Sequence, residues 1–159
     1  MPNPSEERIQ RGLEQFAKMA GRERAEELQS TWREISPSFE SFVLGVLAGE
    51  VWPRQELDPR TRSLVTVAGL AALGRPRALT LNIEMALGNG ATREEIRETM
   101  LQMAFYAGFP TAWEGLQAAD EVFRKLDEAD AAQLVGVPVE GDGAEMTTHG
   151  RAPRTRVAA

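Results

Sequence analysis

The sequence predicts an all-α protein, and three observations carry the prediction. Apolar residues recur at helical spacing from residue 5 to about residue 128, no segment of comparable length alternates with a period of two, and the breaks fall at glycine and proline. The first helix is expected to start at Ser5, to set Ile9, Leu13, Phe16, Ala17 and Ala20 on one face, and to stop at Gly21. The second is expected over Arg22 to Ile35, with Ala25, Leu28, Trp32 and Ile35 on its apolar stripe. Ser36-Pro37 then reads as an N-cap followed by proline in the first turn. It opens a short helix that buries Phe39, Phe42, Val43, Val46 and Leu47 and ends at Gly49.

Glu50 to Leu57 reads as a connecting loop, because Pro53 lacks an amide donor and restricts Trp52 before it. Asp58-Pro59 supplies the cap and first position of the next helix, whose run from Leu64 to Leu73 is apolar nearly all round. Such a helix belongs at the centre of a fold or in a subunit interface. Gly74 stops it, and Pro76 opens a helix carrying Leu79, Ile83, Ala86 and Leu87 to the Gly88-Asn89-Gly90 break. Thr92 and Glu95 have the spacing of a capping box, and the helix behind them presents Ile96, Met100, Met103, Ala104 and Ala107. After Gly108, Pro110 reopens a final helix with Trp113, Leu116, Ala119, Phe123 and Leu126 inward, and with Asp120/Arg124 and Glu121/Lys125 as exposed pairs. From Asp130 onward the periodicity fails among glycines and prolines. This tail is expected either to be disordered or to pack on a neighbouring subunit through Leu134, Val135, Val137 and Val139.

A chain of 159 residues that is 42% hydrophobic and 26% charged fits one globular domain. A net charge of -6 argues against nucleic acid and anionic membrane surfaces as partners, since both require clustered positive charge. No apolar run approaches the roughly 20 residues that cross a bilayer, and Met1-Pro2-Asn3-Pro4 does not open a secretory signal, so a cytoplasmic location is expected. With no cysteine there is no thiolate nucleophile, disulfide or thiolate metal site, and a single histidine leaves metal ligation to carboxylates. No metal and no cofactor are expected.

Four motifs fall in order between Gly49 and Ala112: Gly49-Glu50-Val51-Trp52-Pro53-Arg54, Leu57-Asp58-Pro59-Arg60-Thr61-Arg62-Ser63-Leu64-Val65-Thr66-Val67-Ala68, Ala86-Leu87-Gly88-Asn89-Gly90-Ala91-Thr92-Arg93-Glu94-Glu95-Ile96 and Tyr106-Ala107-Gly108-Phe109-Pro110. In sequence and spacing this series resembles the carboxymuconolactone decarboxylase family, over roughly residues 37 to 127. The resemblance implies an alkylhydroperoxidase-D-like helical bundle that assembles into homo-oligomers, often trimers or hexamers, with sites near subunit contacts. It divides the chain into an N-terminal helical extension over 1–35, the family-like domain over 36–129 and the tail over 130–159.

The peroxidase branch of that superfamily carries Cys-x-x-Cys-x-x-x-His and an upstream glutamate. Those places fall here near Arg75, Ala78 and Asn82, with Ser63 or its neighbour at the glutamate position. Thiol peroxidase chemistry is thereby excluded. The decarboxylase branch uses no thiol, because its unsaturated lactone substrate carries its own electron sink. Such a protein has to bind a carboxylate, stabilise a developing enolate oxygen and deliver a proton to carbon.

The candidate catalytic residues are Asn82, Tyr106 and Glu50, and the candidate substrate-binding residues are Arg54, Arg62, Trp52 and Met103. Each has a plainer reading beside the functional one. Arg54 and Arg62 recognise an anion or pair with Glu50, Glu56 or Asp58; Glu50 is an acid/base or an arginine partner. Tyr106, the sole tyrosine, donates to substrate or satisfies its hydroxyl in the fold. Asn82 stands where the family commonly has histidine and either lines a pocket or covers a helix contact. Trp52 and Trp113 read as packing anchors, and Met85, Met100 and Met103 as core or pocket lining. His149 is solvated in the tail, or is the missing general acid if the tail folds over a neighbour's site. The function expected is that of a cofactor-independent enzyme acting on a small carbonyl or lactone compound, or on a related intermediate of secondary metabolism, by decarboxylation or proton transfer. The alternative is a non-catalytic ligand-binding or assembly protein. Turnover is expected to survive thiol-blocking reagents and dialysis against a strong chelator; loss of activity restored by one added metal would reject this reading.

Overall fold

Apolar stripes at helical spacing are buried by stacking helix on helix. The computed structural model describes residues 3–135, and over them the chain forms seven helices and no strand. They are α1 (Pro4–Ala20), α2 (Arg22–Ile35), α3, α4 (Pro59–Ala72), α5 (Pro76–Gly88), α6 (Arg93–Tyr106) and α7 (Phe109–Val135). Helix α3 begins as one α-turn, Pro37–Glu40, and continues as a π-helix over Ser41–Val51. The N-caps are local chemistry. Ser36, Asp58 and Thr92 accept from the amides of Phe39, Thr61 and Glu95, and Glu95 closes the capping box on the Thr92 amide at 2.9 Å. Gly74 and Gly90, at φ 62° and 91°, end α4 and α5 in the same way, with the next residue's amide reaching back to Leu70 and Ala86.

Two cores result. Helices α4 to α7 enclose Val67, Ile83, Ile96, Met100 and Val122, each fully buried and each contributing about 1.5–3 kcal/mol by its removal from water. Helices α1 to α3 enclose Leu13, Phe16, Met19, Leu44, Ala48 and Trp52, and Met85 of α5 joins this second core to the first. The ring of Trp32 meets Phe16 and Phe39 edge-on at 5.5 and 6.1 Å. The packing of α1 on α3 depends on backbone proximity. A methyl group on Gly12 would overlap the Leu44 carbonyl, and one on Gly49 would lie 3.0 Å from the carbonyl oxygens of Arg8 and Leu44.

Several expected faces are turned. The cap of α1 is Asn3, whose Oδ1 accepts from the Ser5 amide, so the helix starts before Ser5. Ile35, Phe39, Phe42, Val46 and Leu47 are exposed, whereas Leu44, Gly45 and Ala48 face inward and the helix runs on to Val51. For Phe42, Val46 and Leu47 the reason is the π-helix, whose i→i+5 bonds, such as Trp52 N–H to Leu47 O at 3.0 Å, widen the turn; Ile35 and Phe39 precede it, at the end of α2 and in the α-turn. On α7 the inward residues are Ala112, Gly115, Ala119, Val122 and Phe123, so Trp113 and Leu126 lie outside. Two apolar stripes, one residue apart, compete on that helix, and the tighter one wins because Gly115 admits Met100. Glu121 and Lys125 pair at 2.6 Å as expected, but Arg124 pairs with Glu128 at 2.7 Å instead of Asp120. The helix also continues through 130–135, past the expected break. Val137, Val139 and His149 lie outside the described residues. On α4, Leu64, Val67 and Ala71 pack inward while Val65 and Leu73 remain 60% and 69% exposed.

Gly12→Ala is expected to lower the stability of the folded chain by about 1–3 kcal/mol or more, because the added methyl meets backbone that cannot rotate away. Urea unfolding measures the change; an unaltered midpoint would show that α1 and α3 are not held at this distance.

Candidate functional site

The segment between α3 and α4 collects most of the charged residues marked by the sequence. Trp52 closes the π-helix with its side chain buried in the α1–α3 core, so the loop leaves from a fixed point. Arg54 donates through Nε and Nη2 to Glu56 at 3.3 and 3.2 Å, and that hydrogen bonding holds the Glu56 carboxyl below its ordinary value. Asp58 accepts from the Thr61 hydroxyl at 2.6 Å and from its amide at 2.9 Å, which holds its carboxyl low as well. Arg60 donates through Nε to Glu95 at 2.9 Å, tying the start of α4 to the start of α6.

Arg62 differs from both neighbours. Its Nη2 reaches back to the carbonyls of Arg54 and Leu57 at 3.3 and 3.4 Å, and no carboxylate lies within ion-pair distance among the described residues. Its Nε is buried and has no hydrogen-bond partner, the one side-chain atom in that condition among the described residues. A buried donor left unmade costs about 1–3 kcal/mol, and no acceptor among the described residues offsets that cost at Arg62.

The other marked residues are dispersed. Glu50 is exposed and accepts from Arg8 at 3.1 Å. Asn82 is half-buried on α5, and its Nδ2 donates to the Ala78 carbonyl at 2.8 Å. Tyr106 ends α6 with 78% of its surface exposed, next to the Phe105–Phe109 edge pair at 5.9 Å. Met103 lines an open groove of about 320 Å³ between α4 and α6, with Leu64 and Thr99 beside it and Glu95 on its wall. Arg54 and Arg62 are brought together by a hydrogen bond; within this chain no bond or shared groove joins them to Asn82, Tyr106 or Glu50. No three His, Cys, Asp or Glu side chains converge as metal ligands among the described residues, and no described helix is long and apolar enough to cross a membrane.

Fold and site define the class: an all-α, alkylhydroperoxidase-D-like protein in which no thiol exists. The sequence model of the carboxymuconolactone decarboxylase family matches residues 37–121, and the chain belongs to that family. It is 35% identical over 121 residues to the 4-carboxymuconolactone decarboxylase of Acinetobacter baylyi, which covers 76% of this chain and 90% of that protein. A 15.0 kDa protein of Paracoccus denitrificans, encoded between nqo9 and nqo10 and uncharacterised, is 33% identical over 97 residues, 59% of this chain and 72% of the other. The nitrosuccinic acid decarboxylase of Metarhizium robertsii is 38% identical over 68 residues, 43% of this chain and 48% of that enzyme.

Two buried polar residues have structural roles that the sequence did not announce. Ser63 donates to the Pro59 carbonyl at 2.8 Å and accepts from Asn89 at 2.9 Å, fastening α4 to the end of α5. Glu40 sits at the junction of the α-turn and the π-helix, 4% exposed, and accepts from Arg33 Nη2 at 2.7 Å and Gln29 at 2.9 Å. The Arg33 hydrogen bonds hold its carboxyl below the ordinary value although burial pushes the other way. A folded value below the unfolded one means that the contribution is complete above the ordinary carboxylate range and is lost as pH falls through the folded value. Glu40→Gln is therefore expected to cost about 1–3 kcal/mol near neutral pH, with the gap from wild type closing in acid. Urea titrations at both conditions measure this; a gap that does not change with pH would remove the charged pair from the account.

Proposed function

We propose that this protein is a cofactor-independent decarboxylase of small carboxylic acids whose departing electron pair is received by an oxygen-terminated acceptor. The observation that carries the reading is the 35% identity to a 4-carboxymuconolactone decarboxylase across 90% of that relative. The second decarboxylase relative is named for nitrosuccinic acid. In a carboxylated unsaturated lactone the electrons released with carbon dioxide end on the carbonyl oxygen, and in a nitro acid they end on a nitro oxygen. Either substrate asks the protein for an oxyanion donor and a proton, with no electron sink of its own.

Arg62 suits the donor role. Its guanidinium is a planar fork of donors, and no carboxylate lies within ion-pair distance of it among the described residues. Arg54, on the loop that leads into α4, attracts the substrate carboxylate while remaining in contact with Glu56. The working form is a homo-oligomer, trimeric or hexameric, that covers Val65, Leu73, Phe105 and Phe109 and brings a neighbour's surface against the site. Tyr106 is our assignment for the proton donor to carbon, with Asn82 and Met103 lining the space and Glu50 holding Arg8. A second reading, a ligand-binding or assembly protein without turnover, is favoured by one observation: Asn82, Tyr106 and Glu50 do not meet within the chain.

Carbon dioxide release from carboxymuconolactone and from nitrosuccinate distinguishes the two readings. Release from at least one acid is expected, and Arg62→Gln is expected to reduce kcat by about 10²-fold or more with the helical circular-dichroism spectrum retained. Release from neither acid rejects the decarboxylase reading, and release that is undiminished in Arg62→Gln removes Arg62 from the oxyanion role while leaving that reading in place.

A further inference from the structure

The outer side of α7 carries a stripe that the fold leaves uncovered. Trp113, Gln117, Asp120, Arg124, Asp127 and Ala131 follow one another at spacings of four, three, four, three and four, and all six are exposed. That spacing sets them in one line along the helix. They edge two grooves of about 720 and 430 Å³ that meet at Asp120 and Arg124, with Arg97 of α6 on the opposite wall of both. From Trp113 to Ala131 the stripe runs about 27 Å at 1.5 Å per residue.

Its chemistry is symmetric about residue 122. Asp120 and Arg124 lie two residues on either side, Gln117 and Asp127 five, and Trp113 and Ala131 nine. An acid mirrors a base, an amide mirrors a carboxylate, and a large ring mirrors a methyl group. A two-fold axis through that point would match each member with its complement on an identical helix running the opposite way. Parallel pairing would instead set Asp120 on Asp120 and Arg124 on Arg124. An antiparallel pairing displaced by three residues, a little under one turn, would oppose Asp120 and Asp127. Asp120 has no ion pair within the chain among the described residues, and Trp113 is 63% exposed.

We propose that α7 is an isologous interface, pairing antiparallel with α7 of a second copy so that Asp120 meets Arg124 and Trp113 meets Ala131 across the two-fold. The proposal rests on the hexameric form of the homo-oligomeric reading, since a closed trimer contains no two-fold contact, and is independent of the reaction. It is tested on the full chain by analytical ultracentrifugation of wild type, Asp120→Arg, Arg124→Asp and the doubly exchanged protein. Each single substitution is expected to halve the native mass, because it places two like charges at each of two contacts, and the double exchange is expected to restore it. Since the chain has no cysteine, Gln117→Cys with Asp127→Cys adds a direct measure: mild oxidation is expected to give a covalent dimer on a non-reducing gel. A monomeric wild type would overturn both this interface and the oligomeric reading. An oligomeric wild type whose mass is unchanged by Asp120→Arg, or not restored by the double exchange, or that gives no covalent dimer, would overturn the interface alone.

Discussion

The approach of two backbones at Gly12 sets the positions of much that follows. Helix α1 lies so near the Leu44 carbonyl that a single methyl group would separate them, and this contact lets Leu13 and Phe16 reach Leu44 and Ala48 across the wide π turn. Trp52 then locks the end of that helix into the same core. Because the loop leaves from a fixed tryptophan and arrives at the Asp58 cap, the carbonyls of Arg54 and Leu57 stand where Arg62 bonds them. A glycine on the first helix thus bears on the geometry of an arginine fifty residues later.

Much of the fold was legible because its signals are local. Ser36-Pro37, Asp58-Pro59, the Thr92–Glu95 box and the Gly74 stop each require only residues within one turn of one another. The faces of α3 and α7 were not. A helical stripe read at 3.6 residues per turn misplaces a segment bonded i→i+5, and on α7 the outcome depended on whether Met100 would enter beside Gly115. The site divides along the same line. Arg54 and Arg62 are eight positions apart and joined by a turn, so their proximity was implicit in the sequence. The bond network of Glu40 draws on residues 29 and 33 of a different helix, and nothing in the local pattern announces it.

Ser63 bears on how the family's chemistry was divided. It lies near the place that resembles the thiol branch's glutamate, yet here the side chain is fully engaged with Pro59 and Asn89. Ser63 serves in this chain as a fastening between α4 and the end of α5.

Helix α7 continues well beyond its last core contact. Val122 and Phe123 are its final buried side chains, and the turns from Arg124 to Gln133 are exposed throughout. The tie from that outer portion to the bundle is ionic, Arg93 to Asp127 at 3.0 Å, with the guanidinium also resting over the Phe123 ring. Exposed ion pairs weaken as salt rises, whereas apolar burial does not. Backbone amides on the two sides of Phe123 therefore belong to different opening events. In an unpaired copy, those before it are expected to exchange with solvent only when the bundle unfolds, and those after it through a fraying motion that salt accelerates, so that one continuous helix contains two units of cooperativity.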